Sequence, residues 1–188
     1  DGATTFTAVS GGTIDLGGAS PTFTTSADTI TFGTANVKVA NGTLTVNSVG
    51  GLIDFEGSIL GTSDEVLVLN ADGSGTDGAS ANEKVIVAAI GTGNQIHSVS
   101  ITGRDGITLE GNITTSNKAS NNVSFTGPVS INTATVAIDT DATGNDGTVT
   151  FSSTIDSGTG TNRNLDIVSA TGNVTVTGAI GATTALAS

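Results

Sequence analysis

One short pattern recurs along the chain and constrains it more than any other feature. A turn residue is followed by two apolar residues one apart, then a polar step, then another apolar residue. It reads Gly51-Leu52-Ile53-Asp54-Phe55-Glu56-Gly57-Ser58-Ile59 and returns as Gly106-Ile107-Thr108-Leu109-Glu110-Gly111-Asn112-Ile113. Further copies start at Asn122, Gly147 and Gly172. Alternation with a period of two marks a half-buried strand, and Gly or Asn on either side marks turns. Between the copies, pairs such as Ile30/Phe32, Val37/Val39, Leu44/Val46, Val99/Ile101 and Val136/Ile138 keep the same period. No stripe at i, i+3, i+4 runs long enough for a helix, so the chain is expected to be all-β.

The spacing of the copies sets the architecture. The second apolar residues, Phe55, Leu109, Phe125, Phe151 and Val176, are 54, 16, 26 and 25 residues apart. A step of 25 to 27, with 54 as two such steps, is the length of one coil in a β-solenoid. The step of 16 is expected to mark a different face or a shortened coil. At that period the 188 residues make a parallel β-helix of roughly seven coils and about 35 Å of rod. Phe23, Phe32, Phe55, Phe125 and Phe151 would then point inward in ladders.

A longer echo sets residues 66–110 against 165–188. Ala89-Ile90-Gly91, followed by Ile96 and Ser98, matches Ala179-Ile180-Gly181, followed by Leu186 and Ser188. The spacing of 90 residues is that of an immunoglobulin-sized domain, which leaves two tandem β-sandwiches as the alternative fold. The absence of Trp and Tyr weighs against sandwiches of that kind, and a 25-residue period has no place in them. In the solenoid reading, residues 1–188 form one elongated segment, with 70–83 as a protruding polar loop. No cap is visible at either end, and the second copy of the echo breaks off at Ser188. Head-to-tail continuation into another such unit is therefore expected.

Composition removes several functions. With no Cys there is neither a disulfide framework nor a thiolate metal site. Lys38, Lys84, Arg104, Lys118 and Arg163 are scattered through a chain of net charge −12, so no nucleic-acid groove is expected. No apolar run approaches the length of a membrane-spanning helix. His97 is the single His and its neighbour Ser98 would point the opposite way on a strand, so no catalytic triad is expected.

Two sets of acids remain as candidates. Asp54 and Glu56 share one side of a strand, and Glu110 occupies the place of Glu56 in another copy. Paired carboxylates cleave glycosidic bonds, but sugar sites also want aromatic platforms, and an outward acidic ladder is the expected role. Asp72 and Asp77, and Asp139, Asp141 and Asp146, lie in Gly-rich stretches that offer the oxygen ligands Ca²⁺ requires. Neither stretch has EF-hand or calcium β-roll spacing, so ordinary turn chemistry is expected and no cofactor is assigned, with Ca²⁺ as the one candidate. Asn41, Asn112, Asn122 and Asn173 open N-x-S/T sequons.

The stretches Asp146–Ile155 and Asn173–Ser188 resemble the β-strand-repeat regions of giant bacterial secreted surface proteins. Those regions are similar in turn to filamentous-haemagglutinin and autotransporter rods. The resemblance is best over residues 120–188. It implies an extracellular or cell-surface location and a structural or adhesive role in a filament, sheath or biofilm matrix. Its implied partners are copies of itself, flanking repeats and surface glycans, and it brings no catalytic residues. A carbohydrate-binding or polysaccharide-cleaving β-helix is the first alternative. A sandwich filament subunit joined by donated strands, with residues 1–9 as donor, is the second.

Overall fold

The computed structural model describes residues 2–8, 12–62, 64–72, 82–159 and 162–187. Every element among them is a strand. Apart from a small hairpin near residues 141–146, the strands fall in a fixed cyclic order onto three faces. Face A stacks seven strands, from Thr4–Phe6 through Ile30–Phe32, Ile53–Phe55, Lys84–Val87, Gly106–Leu109 and Val129–Ile131 to Ile155–Ser157. Face C stacks seven more, from Thr22–Ser26 to Val174–Val176. Face B has one group of three at Thr13–Leu16, Asn36–Val39 and Ile59–Leu60, and another at Ile113–Thr114, Thr135–Asp139 and Asn164–Val168. In the coil between them Ile90 alone bridges Ile59 to Ile113.

The fold is a parallel β-solenoid of about seven coils. Tandem sandwiches are excluded, because sandwiches of that kind are antiparallel. Here only the small hairpin of Asp141–Ala142 with Asn145–Asp146 pairs antiparallel among the described strands. The donor-strand alternative falls with the sandwich.

Register explains the irregular period. On face A the successive partners Phe6, Phe32, Phe55, Val87, Leu109 and Ile131 give coils of 26, 23, 32, 22 and 22 residues. Phe55 and Leu109 are two coils apart, but those coils are long and short rather than equal. The step of 16 from Leu109 to Phe125 is a change from face A to face C. The echo of 90 residues also joins unlike faces: Ile90 lies on face B, whereas Ile180 bridges Ile155 on face A. It is a local turn used twice, a third of a coil out of phase. Gly91 and Gly181 share its left-handed backbone, at φ 71° and 66°.

The long coil contains residues 73–81, which lie outside the described residues, so the loop expected at 70–83 is tested only at its ends. There it is too wide. Asn70 and Ala71 complete the strand Val66–Ala71, and Glu83 is buried.

Alternation places one row of each strand inside. Ile30, Ile53, Val85, Ile107 and Val129 form one inward row on face A, and Leu44, Leu67, Val99, Val123 and Val149 form one on face C. All of them are buried. The Phe residues make two separate ladders. Phe6, Phe32 and Phe55 stack on face A at centroid spacings of 4.8 and 4.3 Å, and Phe125 stacks on Phe151 on face C at 4.8 Å. These spacings match the roughly 4.8 Å between strands, so each ring lies over the ring of the next coil. Phe23 starts face C and meets Phe6 and Phe32 edge-on across the core.

Corners bring backbone against backbone. A Cβ on Gly127, at φ 123°, would overlap the carbonyl oxygen of Gly103 one coil earlier, and one on Gly147 would overlap that of Asn121. Both positions therefore require glycine.

Candidate functional site

The acids on face A come together as a patch rather than a ladder. Asp54 lies in the outward row with Thr31 on one side and Ile86 on the other. Glu56 and Glu110 hold equivalent positions after Phe55 and Leu109, with Ala88 between them: the N–H groups of Ala88 and Glu110 donate to Phe55 and Val87 carbonyls at 3.0 and 2.9 Å. Partial burial pushes the Asp54 carboxyl above the usual aspartate range, and the charges of Glu56 and Glu110 push it the same way. Glu110 is tied to its own rod, where its Oε1 accepts from Asn132 Nδ2 at 2.8 Å. The patch thus holds a carboxyl that protonates early beside two others. Among the described residues, the outward neighbours of Asp54 along the face are Thr31, Ile86 and Thr108, none of them aromatic.

Of the described candidate calcium ligands, Asp141 and Asp146 stand opposite each other across the hairpin. Asp139 Oδ1 accepts from the Asp141 N–H at 3.0 Å, which tightens the turn before the hairpin. Asp146 Oδ2 accepts from the Thr171 N–H at 3.1 Å and from the Thr171 hydroxyl, one coil further on. Asp141 and Asp72 are exposed, and Asp77 lies outside the described residues. Among the described residues no three Asp, Glu or His side chains are grouped to hold a metal ion.

Two of the four sequon asparagines are structural. Asn112 Oδ1 accepts from the Ala137 N–H at 2.9 Å, and Asn122 Oδ1 accepts from the N–H and hydroxyl of Thr148 at 2.9 and 3.1 Å. Asn36 does the same for Ser58 at 3.2 Å, and Asp156 for Thr183 and Thr184 at 2.8 and 3.2 Å. In each case a side-chain oxygen accepts from a backbone donor one coil later that lies just beyond the paired strand register.

Sequence reasoning missed two buried acids. The Glu65 carboxylate is enclosed where face B turns into face C. Its Oε2 accepts from the N–H groups of Thr62 and Asp64 at 2.6 and 3.2 Å, and its Oε1 from the Thr62 hydroxyl. Burial alone would raise its pKa, but the Thr62 hydroxyl and the N–H groups of Thr62, Glu65 and Asp64 together hold it below the usual glutamate range. Glu83, fully buried where face C turns into face A, pairs with Arg104 Nη1 at 3.1 Å. The backbone groups of Glu83 and Asp105 complete that corner: Asp105 N–H donates to the Glu83 carbonyl at 3.0 Å and Glu83 N–H to Asp105 Oδ2 at 3.1 Å. The one signal available for Glu65 is the spacing Thr62-x-x-Glu65, a capping pattern familiar from helix starts and used here with no helix.

His97 continues the Glu65 corner. Its N–H donates to the Glu65 carbonyl at 2.8 Å and its Nε2 to the Ala119 carbonyl at 2.9 Å, linking three successive coils. Lys118 spans the same corner to Asp64 at 2.7 Å, and that contact and charge hold the Asp64 carboxyl below its ordinary range. Beside this corner an open depression of about 580 Å³ is lined by Lys38, Thr62, Asn94, Gln95 and Thr114. It is polar and shallow, and Lys38 is engaged with Asp15 at 3.5 Å.

The last coil differs from the rest. Val174 and Ile180 expose 46% and 57% of their surface, although their register partners Val149 and Ile155 are buried. Among the described residues no helix is long and apolar enough to cross a membrane.

Comparison with known proteins adds no identity: no family model matches the chain, and no curated protein or solved structure matches it. The molecule is defined by its fold as a parallel β-solenoid of the kind compatible with β-helix repeat regions.

Proposed function

We propose that the chain is a structural or adhesive repeat segment of an extracellular bacterial filament, sheath, matrix or giant surface protein, and that it assembles head to tail with a second copy of itself. The observation that carries this reading is the unbroken coil-to-coil register, in which each coil buries the apolar rows of its neighbour. Val174 and Ile180 continue two of those rows beyond Val149 and Ile155. The strand edges beside them carry backbone groups suited to one more parallel strand. The cross-coil caps at Asn112, Asn122 and Asp156 support it too, because they spend polar groups on longitudinal strength rather than on a ligand. No catalytic step belongs to this role.

Sedimentation velocity of the chain over a wide concentration range tests it. The expected result is growing oligomers that images show as rods, and monomers at every concentration for Val174→Lys combined with Ile180→Lys. A wild-type chain as monomeric as that variant would sink the proposal.

A second reading, a polysaccharide-cleaving β-helix, has one observation in its favour: the raised Asp54 carboxyl beside Glu56 and Glu110. It requires sugar release from a neutral glycan that Asp54→Asn abolishes. No release from any glycan offered would remove it.

A further inference from the structure

Face C differs from its neighbours in what it turns outward. Its first outward rank starts at Thr22, runs through Thr45, Ser124 and Thr150 to Thr175, and is interrupted only by Val68 among hydroxyl side chains. Its second rank runs Thr24, Asn47, Asn70, Thr102 and Thr126 in strict register. Ser152 and Thr177 extend it, with their N–H groups on the Phe125 and Phe151 carbonyls at 3.0 and 2.9 Å. No ionisable side chain stands in either rank, although the chain carries 17 acids and a net charge of −12. Face A places Asp54 and Asp156 in its outward row, and face B places Asp15, Lys38 and Asp166. Charge has been kept off one face out of three.

We infer that face C is a surface for an ordered, uncharged lattice of water, that is, for ice. Three properties point there. The pairing is one-to-one across all seven strands, so the polar groups repeat at about 4.8 Å along the rod and at roughly 7 Å, two residues, across it. That two-dimensional net is close to the oxygen repeats on the faces of hexagonal ice. Thr is branched at Cβ and stiff at χ1, so the hydroxyls hold their places, while the methyl groups beside them order the first layer of water. Among the described residues, the side chains of Thr45, Asn47, Thr102, Ser124, Thr126 and Thr150 make no hydrogen bond to the protein and carry no interaction beyond the contacts already described. Their donors and acceptors are all turned to whatever covers the face.

Neutrality decides between occupants. An ionised side chain holds a hydration shell that the ice lattice does not accommodate, and none is present in the ranks. A glycan surface would gain from aromatic platforms, and a second protein from an apolar or aromatic centre. Neither rank contains an aromatic residue, and Val68 is its one apolar residue.

Ice growth in solutions of the chain tests the inference. A seed crystal is expected to stop growing over an interval below the melting point and to develop facets. Thr102→Lys with Thr126→Lys should abolish both effects. The matched pair on face A, Thr108→Lys with Ser130→Lys, should leave both in place. Thermal unfolding of all three proteins separates loss of the face from loss of the fold. Thr126→Val, which adds no charge, should weaken the effect if the double variant misfolds. Ice that grows in the wild-type solution as it does in buffer would overturn the inference, as would equal losses from the two faces. So would retention on microcrystalline chitin or cellulose without any effect on ice, which would assign the face to a neutral glycan.

Discussion

Two corners on the same edge of the rod solve one problem with different chemistry. Where face B turns into face C, the strand ladder lapses and backbone N–H groups need acceptors. In the third coil a buried carboxylate supplies them, with Glu65 receiving the N–H groups of Thr62 and Asp64. In the fifth and sixth coils neutral amides do the work. Asn122 receives Thr148, and buried Asn121 donates through Nδ2 to the carbonyls of Thr140 and Asn145 at 3.1 and 3.3 Å. Both corners satisfy the backbone, but only the first couples it to pH. A charged acceptor makes the stronger hydrogen bonds and leaves more behind when it is lost.

Glu65→Ala should therefore give the largest effect at these corners. It strands buried donors in a site too enclosed for free hydration, and a loss of about 3 kcal/mol is expected from hydrogen bonds of this class. A stack of coils need not unfold as one unit, so the measurement is amide exchange resolved by residue. Protection at Thr62, Asp64 and His97 should fall most, with little change around Thr148. Uniform loss along the rod would mean that the corner does not act locally.

Asn122→Ala removes the neutral cap and should cost about 1 kcal/mol, the usual net value of such a bond. Asn122→Asp sharpens the comparison, because it keeps an oxygen acceptor for Thr148 and adds a charge. At neutral pH its stability should stay near wild type, and stability should then fall with acid as the new carboxylate protonates. Denaturant midpoints at pH 7 and pH 4 read both effects. An Asp variant whose midpoint has the same pH dependence as wild type would show that acceptor charge does not set the difference between the corners.

The strands were legible in the chain and the corners were not, for a physical reason. Alternation in Ile53-Asp54-Phe55 or Val149-Thr150-Phe151 follows from the pleat itself, so period and face can be read from few residues. The parallel solenoid and its seven or so coils follow from that pattern, whereas the 16-residue step stays open between a change of face and a shortened coil until register shows the change of face. A corner is set by what the neighbouring coil presents, 20 or more residues away in sequence. Apart from the Thr62-x-x-Glu65 spacing, nothing local distinguishes Glu65, which is buried, from Glu56, which is exposed. The echo of Ile90 in Ile180 misled for the same reason: it repeats a turn, and a turn does not know which face it leads to. At the acids of face A, equivalence of Glu56 and Glu110 was visible from the motif, but Ala88 between them was not, because the long coil hid the register.

The smallest effect separates the two carboxyls whose pKa values move in opposite directions. Glu65 is held low in the folded chain, so its contribution is present above the ordinary carboxylate range and is lost as pH falls through its lowered value. Asp54 is held high by burial and by Glu56 and Glu110, so it weakens the fold at neutral pH and the penalty is relieved as pH falls through its raised value. Its patch is half open to solvent, which keeps the effect small. Asp54→Asn should thus raise the denaturant midpoint slightly at pH 7 and leave it unchanged near pH 3, where wild-type Asp54 is already neutral. Glu65→Gln should do the reverse, lowering the midpoint at pH 7 and narrowing its difference from wild type in acid. Parallel pH profiles for the two variants would mean that corner and patch share one electrostatic environment, and that the rod's net charge, rather than the partners of each acid, governs both.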